Sequence, residues 1–184
     1  MSKVSELNLP NSPQGASIGI LGGSFDPPHL GHQMLALAAL STTPIGEVWI
    51  VPCASHAFNK PLSPFEHRLK MCEYAFSHLR SVQVLDLERD LPKPNYTVQT
   101  LEAIQEARPD LKLYFVMGSD LMADFDKWEG HEKIREIAEL VIVDRKTLLP
   151  QAKSTTIRSV VPRQDFSNLD LKVRDYIQKT GLYT

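Results

Sequence analysis

Five short runs of apolar residues alternate along this chain with longer stretches in which apolar residues recur every three or four positions. The runs cover residues 17–21, 47–52, 81–85, 111–117 and 141–143. Continuous apolar runs of this length are typical of strands that are buried on both faces, and the stretches between them are typical of amphipathic helices. The alternation predicts βαβ units, and therefore an α/β protein with five or so parallel strands and helices on both faces of the sheet.

Capping residues indicate where the helices of this pattern begin and end. Ser63, Pro64 and Glu66 predict a capped start for a helix whose apolar stripe runs through Phe65, Leu69, Cys72, Phe76 and Leu79. Arg68 lies beside that stripe and is expected to be solvated; the alternative is that it reaches back towards the site. Thr97 and Ser154 are the predicted N-caps of two later helices. A final helix over 169–180 ends at Gly181, which completes a small C-terminal helical part.

The motif between the first strand and the first helix is the main chemical signal. Residues 22–32 read G-G-S-F-D-P-P-H-L-G-H. Gly22 and Gly23 allow backbone amides to approach an anion, and the helix start that follows offers unpaired N–H groups. His29 and His32 are three residues apart, so they share one face of the first helical turn and suit the neutralisation of phosphate oxygens. The alternative interpretation is a pair of surface histidines beside a turn.

The spacing of this motif excludes two better-known phosphate sites. It matches neither the G-x-G-x-x-G dinucleotide fingerprint nor a P-loop, which ends in Gly-Lys-Ser/Thr. Ligands of parallel sheets bind outside the carboxyl ends of the strands. The loops that contain His29, Lys60, Tyr96 and Asp120 all follow predicted strands, so we expect them to meet in one crevice.

A second phosphate signal lies near the C-terminus, where residues 153–158 read K-S-T-T-I-R. Free amides at a helix start, the hydroxyls of Ser154 and Thr155, and the guanidinium of Arg158 together suit an anion, which an arginine binds bidentately. Considered by itself, this stretch is more typical of an ordinary capped helix than of a phosphate site.

Composition limits the remaining possibilities. The 184 residues fit one domain, and 42% hydrophobic with 23% charged residues is typical of a soluble globular protein. A net charge of −2 argues against a broad nucleic-acid or membrane surface, because either partner favours a basic excess. Cys53 and Cys72 match no metal spacing and no disulfide framework.

The first sixteen residues are polar and contain two prolines. They lack the basic and apolar regions of a signal peptide, and the chain has no apolar run long enough to cross a bilayer. We therefore expect a flexible tail over residues 1–16, a single domain over residues 17–184, and a cytoplasmic location.

With both phosphate motifs in place, the chain resembles the bacterial nicotinate-nucleotide adenylyltransferases, which belong to the superfamily of nucleotidyltransferases with a His-x-Gly-His signature. The resemblance extends from about residue 18 to residue 183. It rests on residues 22–32, on Asn95-Tyr96-Thr97 with Thr100-Leu101, on Gly118-Ser119-Asp120 followed by Trp128, on residues 154–158, and on the last helix. It implies a Rossmann-like domain that transfers AMP from ATP to nicotinate mononucleotide, forming deamido-NAD and pyrophosphate in NAD biosynthesis.

The same resemblance implies roles for individual residues. His29, His32 and Arg158 would be catalytic. The ATP-binding residues would be Gly22, Gly23, Ser24, Phe25, Lys60, Gly118, Asp120, Ser154 and Thr155. The pyridine nucleotide would contact the backbone amides of Tyr96 and Thr97 and the indole of Trp128; the alternative for Trp128 is a partly buried anchor. Mg²⁺ is expected to enter with ATP, held by phosphate oxygens and water, with no metal site formed by the protein.

Three departures from the family pattern bear on the choice of acceptor. Lys153 replaces the first serine of the closing motif, residues 57–60 read A-F-N-K where the family has P-P-H-K, and the segment from 143 to 153 lacks the usual Arg-Pro-Gly sequence. Alternatives are therefore a nicotinamide-mononucleotide or pantetheine-phosphate adenylyltransferase, a cytidylyltransferase, and a non-catalytic module that senses ATP or NAD. The closing motif resembles neither that of the pantetheine-phosphate adenylyltransferases nor that of the cytidylyltransferases. The retained histidines and arginine argue against a sensor.

Overall fold

All five strands of the sheet run parallel. A computed structural model of the chain describes residues 7–55, 60–144 and 152–184. The strands are β1 (Ser17–Gly23), β2 (Glu47–Pro52), β3 (Val82–Val84), β4 (Lys112–Gly118) and β5 (Ala138–Val143), and their order across the sheet is β3-β2-β1-β4-β5. The predicted α/β class and the parallel sheet are confirmed, and the fold is Rossmann-like.

Helices cover the sheet on both faces. They are α1 (Leu30–Thr42), α2 (Phe65–Phe76), α3 (Thr97–Ala107), α4 (His131–Ile137), α5 (Ser154–Val160) and α6 (Leu171–Thr180), with 3₁₀ turns over Leu87–Arg89, Ser119–Lys127 and Val161–Arg163. Buried residues of α1, α2, α5 and α6 form one core cluster with one face of the sheet. Residues of α3 and α4 form a second cluster with the opposite face. None of the helices in the described parts of the chain is long and apolar enough to span a bilayer.

The last strand begins earlier than the sequence predicts. The apolar periodicity of residues 131–140 predicts a helix, but α4 ends at Ile137 and β5 begins at Ala138. Ala138 pairs with Leu113 of β4, and the pairing continues to Val143 opposite Gly118. Pairing with a neighbouring strand outweighs the weak local helix preference of these residues.

The start of α2 also differs from the prediction. Pro64 is the N-cap and Phe65 the first helical residue, so the predicted capping box between Ser63 and Glu66 is wrong. Glu66 instead accepts two hydrogen bonds from the exposed guanidinium of Arg89, at 2.6 and 3.1 Å. The buried face of the helix is rotated relative to the predicted stripe, and it consists of Arg68, Met71, Cys72, Ala75 and Phe76.

Two further predicted caps are displaced by one residue. Thr97 and Ser154 are the first residues of α3 and α5, and the N-cap positions belong to Tyr96 and Lys153. The final helix begins at Leu171 with Asp170 as its N-cap, and it ends at Gly181 as predicted. Gly181 has a φ of +68°, the left-handed conformation in which glycine is favoured at a helix C-terminus.

The segment before β1 contacts the domain in the part that is described, residues 7–16. Leu7 and Leu9 pack against the second core cluster. The hydroxyl of Ser12 donates to Oε2 of Glu47 at 2.6 Å, and Arg108 donates to the carbonyl of Ser12 at 3.0 Å. Residues 1–6 lie outside the described chain, and the proposed domain boundary at residue 17 stays a prediction.

Candidate active site

The turn between β1 and α1 begins after Gly22 and Gly23, whereas the sequence predicts that it contains them. Gly22 and Gly23 are the last residues of β1 and pair with Val51 and Pro52 of β2, so the turn itself spans residues 24–29. A Cβ atom on Gly23 would lie 3.3 Å from the Phe25 ring, so glycine lets that ring pack against the strand. Phe25 is buried and has a φ of +48°, an uncommon conformation for a residue with a side chain.

The two histidines of the motif lie together at the start of α1, as their spacing predicts. His29 is the N-cap and only 3% exposed, and His32 is half-buried at the third helical position. Their rings stack with centroids 3.8 Å apart, and the backbone N–H of His29 donates to Nδ1 of His32 at 3.2 Å. Because Nδ1 accepts this hydrogen bond, neutral His32 carries its proton on Nε2.

The two phosphate motifs meet, although more than a hundred residues separate them. The hydroxyl of Ser154 donates to the carbonyl of Pro27 at 2.9 Å, and the guanidinium of Arg158 donates to the carbonyl of Asp26. Nη1 of Arg158 also lies 3.8 Å from the Asp26 carboxylate, and its Nη2 contacts the Thr155 hydroxyl at 3.5 Å. These hydrogen bonds hold helix α5 against the turn that precedes His29.

Asp26 is a buried carboxylate that joins this turn to two other segments. It is 2% exposed, and its Oδ2 accepts the backbone N–H of Ser63 at 3.1 Å. Its Oδ1 accepts the hydroxyl of Tyr183 at 2.5 Å. Asp26 is part of the motif at residues 22–32, but the sequence predicted no separate role for it. The only available signal was an acidic residue inside an otherwise apolar and glycine-rich stretch.

Arg68 is the second residue whose role the sequence did not indicate. The prediction of a solvated side chain is wrong, because Arg68 is 1% exposed. Its Nε donates to the carbonyl of Ser63 and its Nη1 to the carbonyl of Ser24, both at 2.8 Å. Because a buried cation is costly unless its hydrogen bonds are made, these contacts hold the first motif and the loop before α2 at fixed positions.

The loop after β2 is attached to the start of α3. Asn95 donates its backbone N–H to the carbonyl of Ser55 at 3.2 Å, and the N–H of Ser55 donates to Oδ1 of Asn95 at 2.7 Å. The backbone N–H of Tyr96 donates to the side chain of Gln99 at 2.9 Å. Of the two backbone amides predicted to contact the pyridine nucleotide, that of Tyr96 therefore already has an acceptor. Thr97 remains, since the first helical residue has no acceptor within its helix.

Residues at the end of β4 lie at the same edge of the sheet as the end of β1, because the two strands are parallel neighbours. Gly118 ends the strand opposite Val143, and Asp120 follows it on the exposed side of a 3₁₀ turn. Trp128 is half-buried, with its ring 6.0 Å from Phe115 and 5.5 Å from Phe125. Trp128 belongs to the second core cluster, whereas Phe25 belongs to the first, so the two faces of the sheet carry different parts of the candidate site.

Lys60 is exposed and lines a cavity of about 340 Å³ at the loop between β2 and α2. Ser55, Ser63 and Arg68 line the same cavity, which gives it hydroxyl groups and two cationic side chains. Residues 57–59 of the altered loop lie outside the described residues, as does most of the segment from 143 to 153. Within the described residues, no group of three or more His, Cys, Asp or Glu side chains is arranged to hold a metal ion.

A buried acid lies beneath the start of α3. Glu88 is 6% exposed; its Oε1 accepts the Thr100 hydroxyl at 2.7 Å, and the backbone N–H of Ala54 also interacts with the carboxylate. Burial raises the pKa of this carboxyl from its ordinary 4.5 to about 7, and the Thr100 hydrogen bond and the charge of Arg68 partly oppose that rise.

This acid predicts a pH-dependent stability. Because the folded pKa lies above the unfolded one, Glu88 stabilises the fold below about pH 4.5 and that stabilisation is lost as the pH rises through about 7. The difference corresponds to on the order of 3 kcal/mol in the free energy of unfolding. We expect Glu88→Gln, which carries no titrating proton, to gain stability relative to the parent between about pH 5 and about pH 8 in urea unfolding.

The exposed Glu129 supplies a control for that experiment. Glu129→Gln removes one acidic group without altering a buried site, so its stability relative to the parent should not change with pH over the same range. A Glu88→Gln protein whose stability difference stays constant from low to high pH would contradict the assignment of Glu88 as a buried, titrating acid.

Similarity to known proteins identifies the family. Residues 20–166 match the sequence profile of the cytidylyltransferase-like family. The chain belongs to this family. A probable nicotinate-nucleotide adenylyltransferase of Anaeromyxobacter dehalogenans (strain 2CP-1) is 37% identical over 182 residues, which cover 92% of this chain and 97% of that protein. One of Myxococcus xanthus is 30% identical, with 90% of this chain and 94% of that protein covered.

Comparison with a solved structure shows that the similarity extends to the fold. A protein of Vibrio parahaemolyticus that was assigned as a nicotinate-nucleotide adenylyltransferase superposes with a TM-score of 0.74 at 28% identity, and 91% of this chain and 95% of that chain are covered. The resemblance inferred from the motifs is therefore confirmed for this cytidylyltransferase-like chain. The roles of its individual residues stay predictions.

Proposed function

We propose that this cytidylyltransferase-like chain transfers AMP from ATP to nicotinate mononucleotide, forming deamido-NAD and pyrophosphate. One observation supports the proposal most directly: α5 is fastened to the turn before His29, so both histidines and Arg158 border the same loop. Three potential donors around one loop suit a polyphosphate better than a neutral ligand. The similarity to the adenylyltransferase relatives, which extends over nine-tenths of the chain, supports the same conclusion.

The proposed reaction is a single displacement at the α-phosphorus of ATP. An oxygen of the acceptor's 5′-phosphate forms the new bond, the bond from the α-phosphorus to the bridging oxygen of the β-phosphate breaks, and pyrophosphate leaves with that electron pair. ATP enters as its Mg²⁺ complex, with the ion on phosphate oxygens and water. The protein's contribution is to hold two phosphate groups in line and to stabilise the charge that shifts toward the leaving group.

The geometry of the loop supports the assignment of the ATP side of the site. In this proposal His29 and His32 donate to the phosphates, Arg158 binds them bidentately, and the loop around Ser24 and Phe25 surrounds them. The remaining ATP contacts are assigned to Gly22, Gly23, Lys60, Gly118, Asp120, Ser154 and Thr155. Ser154 and Arg158 already contact the loop, so α5 needs little movement to close over the phosphates.

The acceptor side is assigned to the start of α3 and to Trp128. The first amide of α3, that of Thr97, suits a carboxylate, because the N-terminus of a helix attracts negative charge. The indole face of Trp128 suits a cationic pyridinium ring. Since the Tyr96 amide is occupied by Gln99, fewer donors discriminate nicotinate from nicotinamide than the sequence suggests. Nicotinamide mononucleotide is therefore the competing acceptor that this observation favours.

An acceptor panel tests the proposal. Pyrophosphate release is measured with ATP and nicotinate mononucleotide, nicotinamide mononucleotide or phosphopantetheine. A hydrogen bond from Thr97 to a charged carboxylate is worth roughly 1.5 kcal/mol or more. We therefore expect kcat/KM for nicotinate mononucleotide to exceed that for nicotinamide mononucleotide by about tenfold. Phosphopantetheine should give no release.

Trp128→Ala serves as the internal comparison in that panel. Stacking senses the ring and not its substituent, so this variant should weaken both pyridine acceptors by the same factor. Equal kcat/KM for the two mononucleotides in the parent protein would contradict the carboxylate argument. Absence of pyrophosphate release with every acceptor would contradict the proposed transfer itself and favour a nucleotide-sensing module.

A further inference from the structure

We propose that Tyr183 is a positioning residue for the loop that contains the active-site histidines, and that it acts through Asp26. The proposal rests on the function proposed above, in which that loop holds the ATP phosphates. Tyr183 lies beyond the last helix, far in sequence from residues 22–32, and it shares no motif with them. Its hydroxyl nevertheless reaches the centre of the first motif, where it donates to Oδ1 of Asp26 at 2.5 Å.

The burial of both partners gives this hydrogen bond its importance. Asp26 is almost completely enclosed, and Tyr183 is partly buried. Burial and the neighbouring Asp26 carboxylate raise the pKa of the Tyr183 hydroxyl far above its ordinary value, so the phenol stays protonated and remains a donor. If the hydroxyl is removed, Oδ1 loses its donor in a place that water reaches poorly, and an unsatisfied buried carboxylate oxygen is strongly unfavourable.

Asp26 transmits this effect because it contacts two further segments besides that of Tyr183. Its Oδ2 accepts the N–H of Ser63, and its carbonyl accepts the guanidinium of Arg158. His29 follows Asp26 by three residues in the same turn. A rearrangement of the Asp26 side chain therefore moves the turn relative to both His29 and Arg158. Displacements of about an ångström in catalytic groups are sufficient to lower turnover by as much as 10²-fold.

Backbone conformation points to the same constraint. Tyr183 has a φ of +66° and Phe25, the neighbour of Asp26, has a φ of +48°. Side-chain-bearing residues adopt this left-handed region only where the surrounding structure compensates for its cost, and such residues cluster at functional sites. The hydrogen bond between Tyr183 and Asp26 connects these two unfavourable turns directly.

The chain offers a matched control in Tyr176 of α6. Its hydroxyl lies 2.8 Å from Nδ1 of His67 on α2, so it also joins the C-terminal part to another element, but through His67 and not through Asp26. Tyr183→Phe and Tyr176→Phe each delete one hydroxyl. We expect Tyr183→Phe to lower kcat about tenfold with KM for ATP changed much less, and Tyr176→Phe to leave kcat unchanged.

A double-mutant comparison tests whether Tyr183 acts through Asp26. Asp26→Ala removes the acceptor, so adding Tyr183→Phe to that variant should lower kcat no further. If Tyr183→Phe lowers kcat by the same factor with and without Asp26, the proposal is overturned. It is also overturned if Tyr183→Phe lowers the melting temperature while kcat stays at the parent value.

Imidazole NMR signals give a readout that does not depend on activity. The chain has six histidines, and their ring signals are assigned by single substitutions. Tyr183→Phe should shift the signals of His29 and His32, whereas Tyr176→Phe should shift only that of His67. Unchanged His29 and His32 signals in Tyr183→Phe would overturn the proposal even if the parent protein proved to transfer no adenylyl group. Inactivity of the parent with shifted signals would overturn the proposed function alone.

Discussion

Replacing His32 with alanine is expected to lower kcat for adenylyl transfer by about 10²–10³-fold, the usual cost of removing one donor that stabilises transition-state charge. His32 is half-buried on the first turn of α1, and its neutral ring carries the proton on Nε2 because Nδ1 accepts the N–H of His29. The fold should survive, because alanine favours helix and the variant loses one capping hydrogen bond worth about 1 kcal/mol. Steady-state kinetics with ATP and nicotinate mononucleotide measure the effect.

His78 provides the control for this experiment. It is an exposed histidine beyond the end of α2, and His78→Ala should leave kcat and KM unchanged. Circular dichroism and the melting temperature of the His32→Ala protein should remain close to those of the parent. A folded His32→Ala protein that retains more than half of the parent's turnover would refute the assignment of the histidines to the phosphates.

Replacing Arg158 with alanine is expected to have an effect at least as large, about 10³-fold on kcat/KM. The guanidinium is the only cationic group of the closing motif besides Lys153, and it also binds the carbonyl of Asp26. Its loss removes a phosphate donor and releases the turn before His29. Arg158→Lys keeps the charge without the bidentate geometry, so it should recover only part of the activity. The measurement is kcat and KM for ATP in both variants.

Arg163 is the matched control, because it is an exposed arginine in the 3₁₀ turn after α5. Arg163→Ala should leave catalysis at the parent level. If Arg158→Ala and Arg163→Ala proved equally active, α5 would serve only to pack against the first motif, and the closing role of this helix would have to be abandoned.

The strands were largely predictable because most of them coincide with short, mainly apolar runs. The run at 47–52 predicts β2 at its observed bounds. In the structure, five of its six residues are buried. β5 was harder to predict, because Ala138, Glu139 and Leu140 fit a helix as well as a strand. Only the adjacent β4 decides the conformation of these three residues, and the local sequence carries no information about that neighbour.

In the candidate site, the sequence identified chemically distinctive residues but not their hydrogen-bond partners. The histidine pair was predictable because a three-residue spacing places both rings on one helical face. The burial of Arg68 and the bond between Tyr183 and Asp26 were not predictable, because they depend on how distant segments pack. The sequence also did not indicate that the Tyr96 amide donates to the side chain of Gln99, three residues later.

The most direct test of the central claim is the fate of the α-phosphorus of ATP. The parent protein is supplied with ATP labelled at that phosphorus and with nicotinate mononucleotide, and the products are separated. The account predicts that the label appears in deamido-NAD, in amounts equal to the unlabelled pyrophosphate released, with no label on the protein. Label that remains in ATP, appears as free AMP or becomes attached to the protein would contradict direct adenylyl transfer.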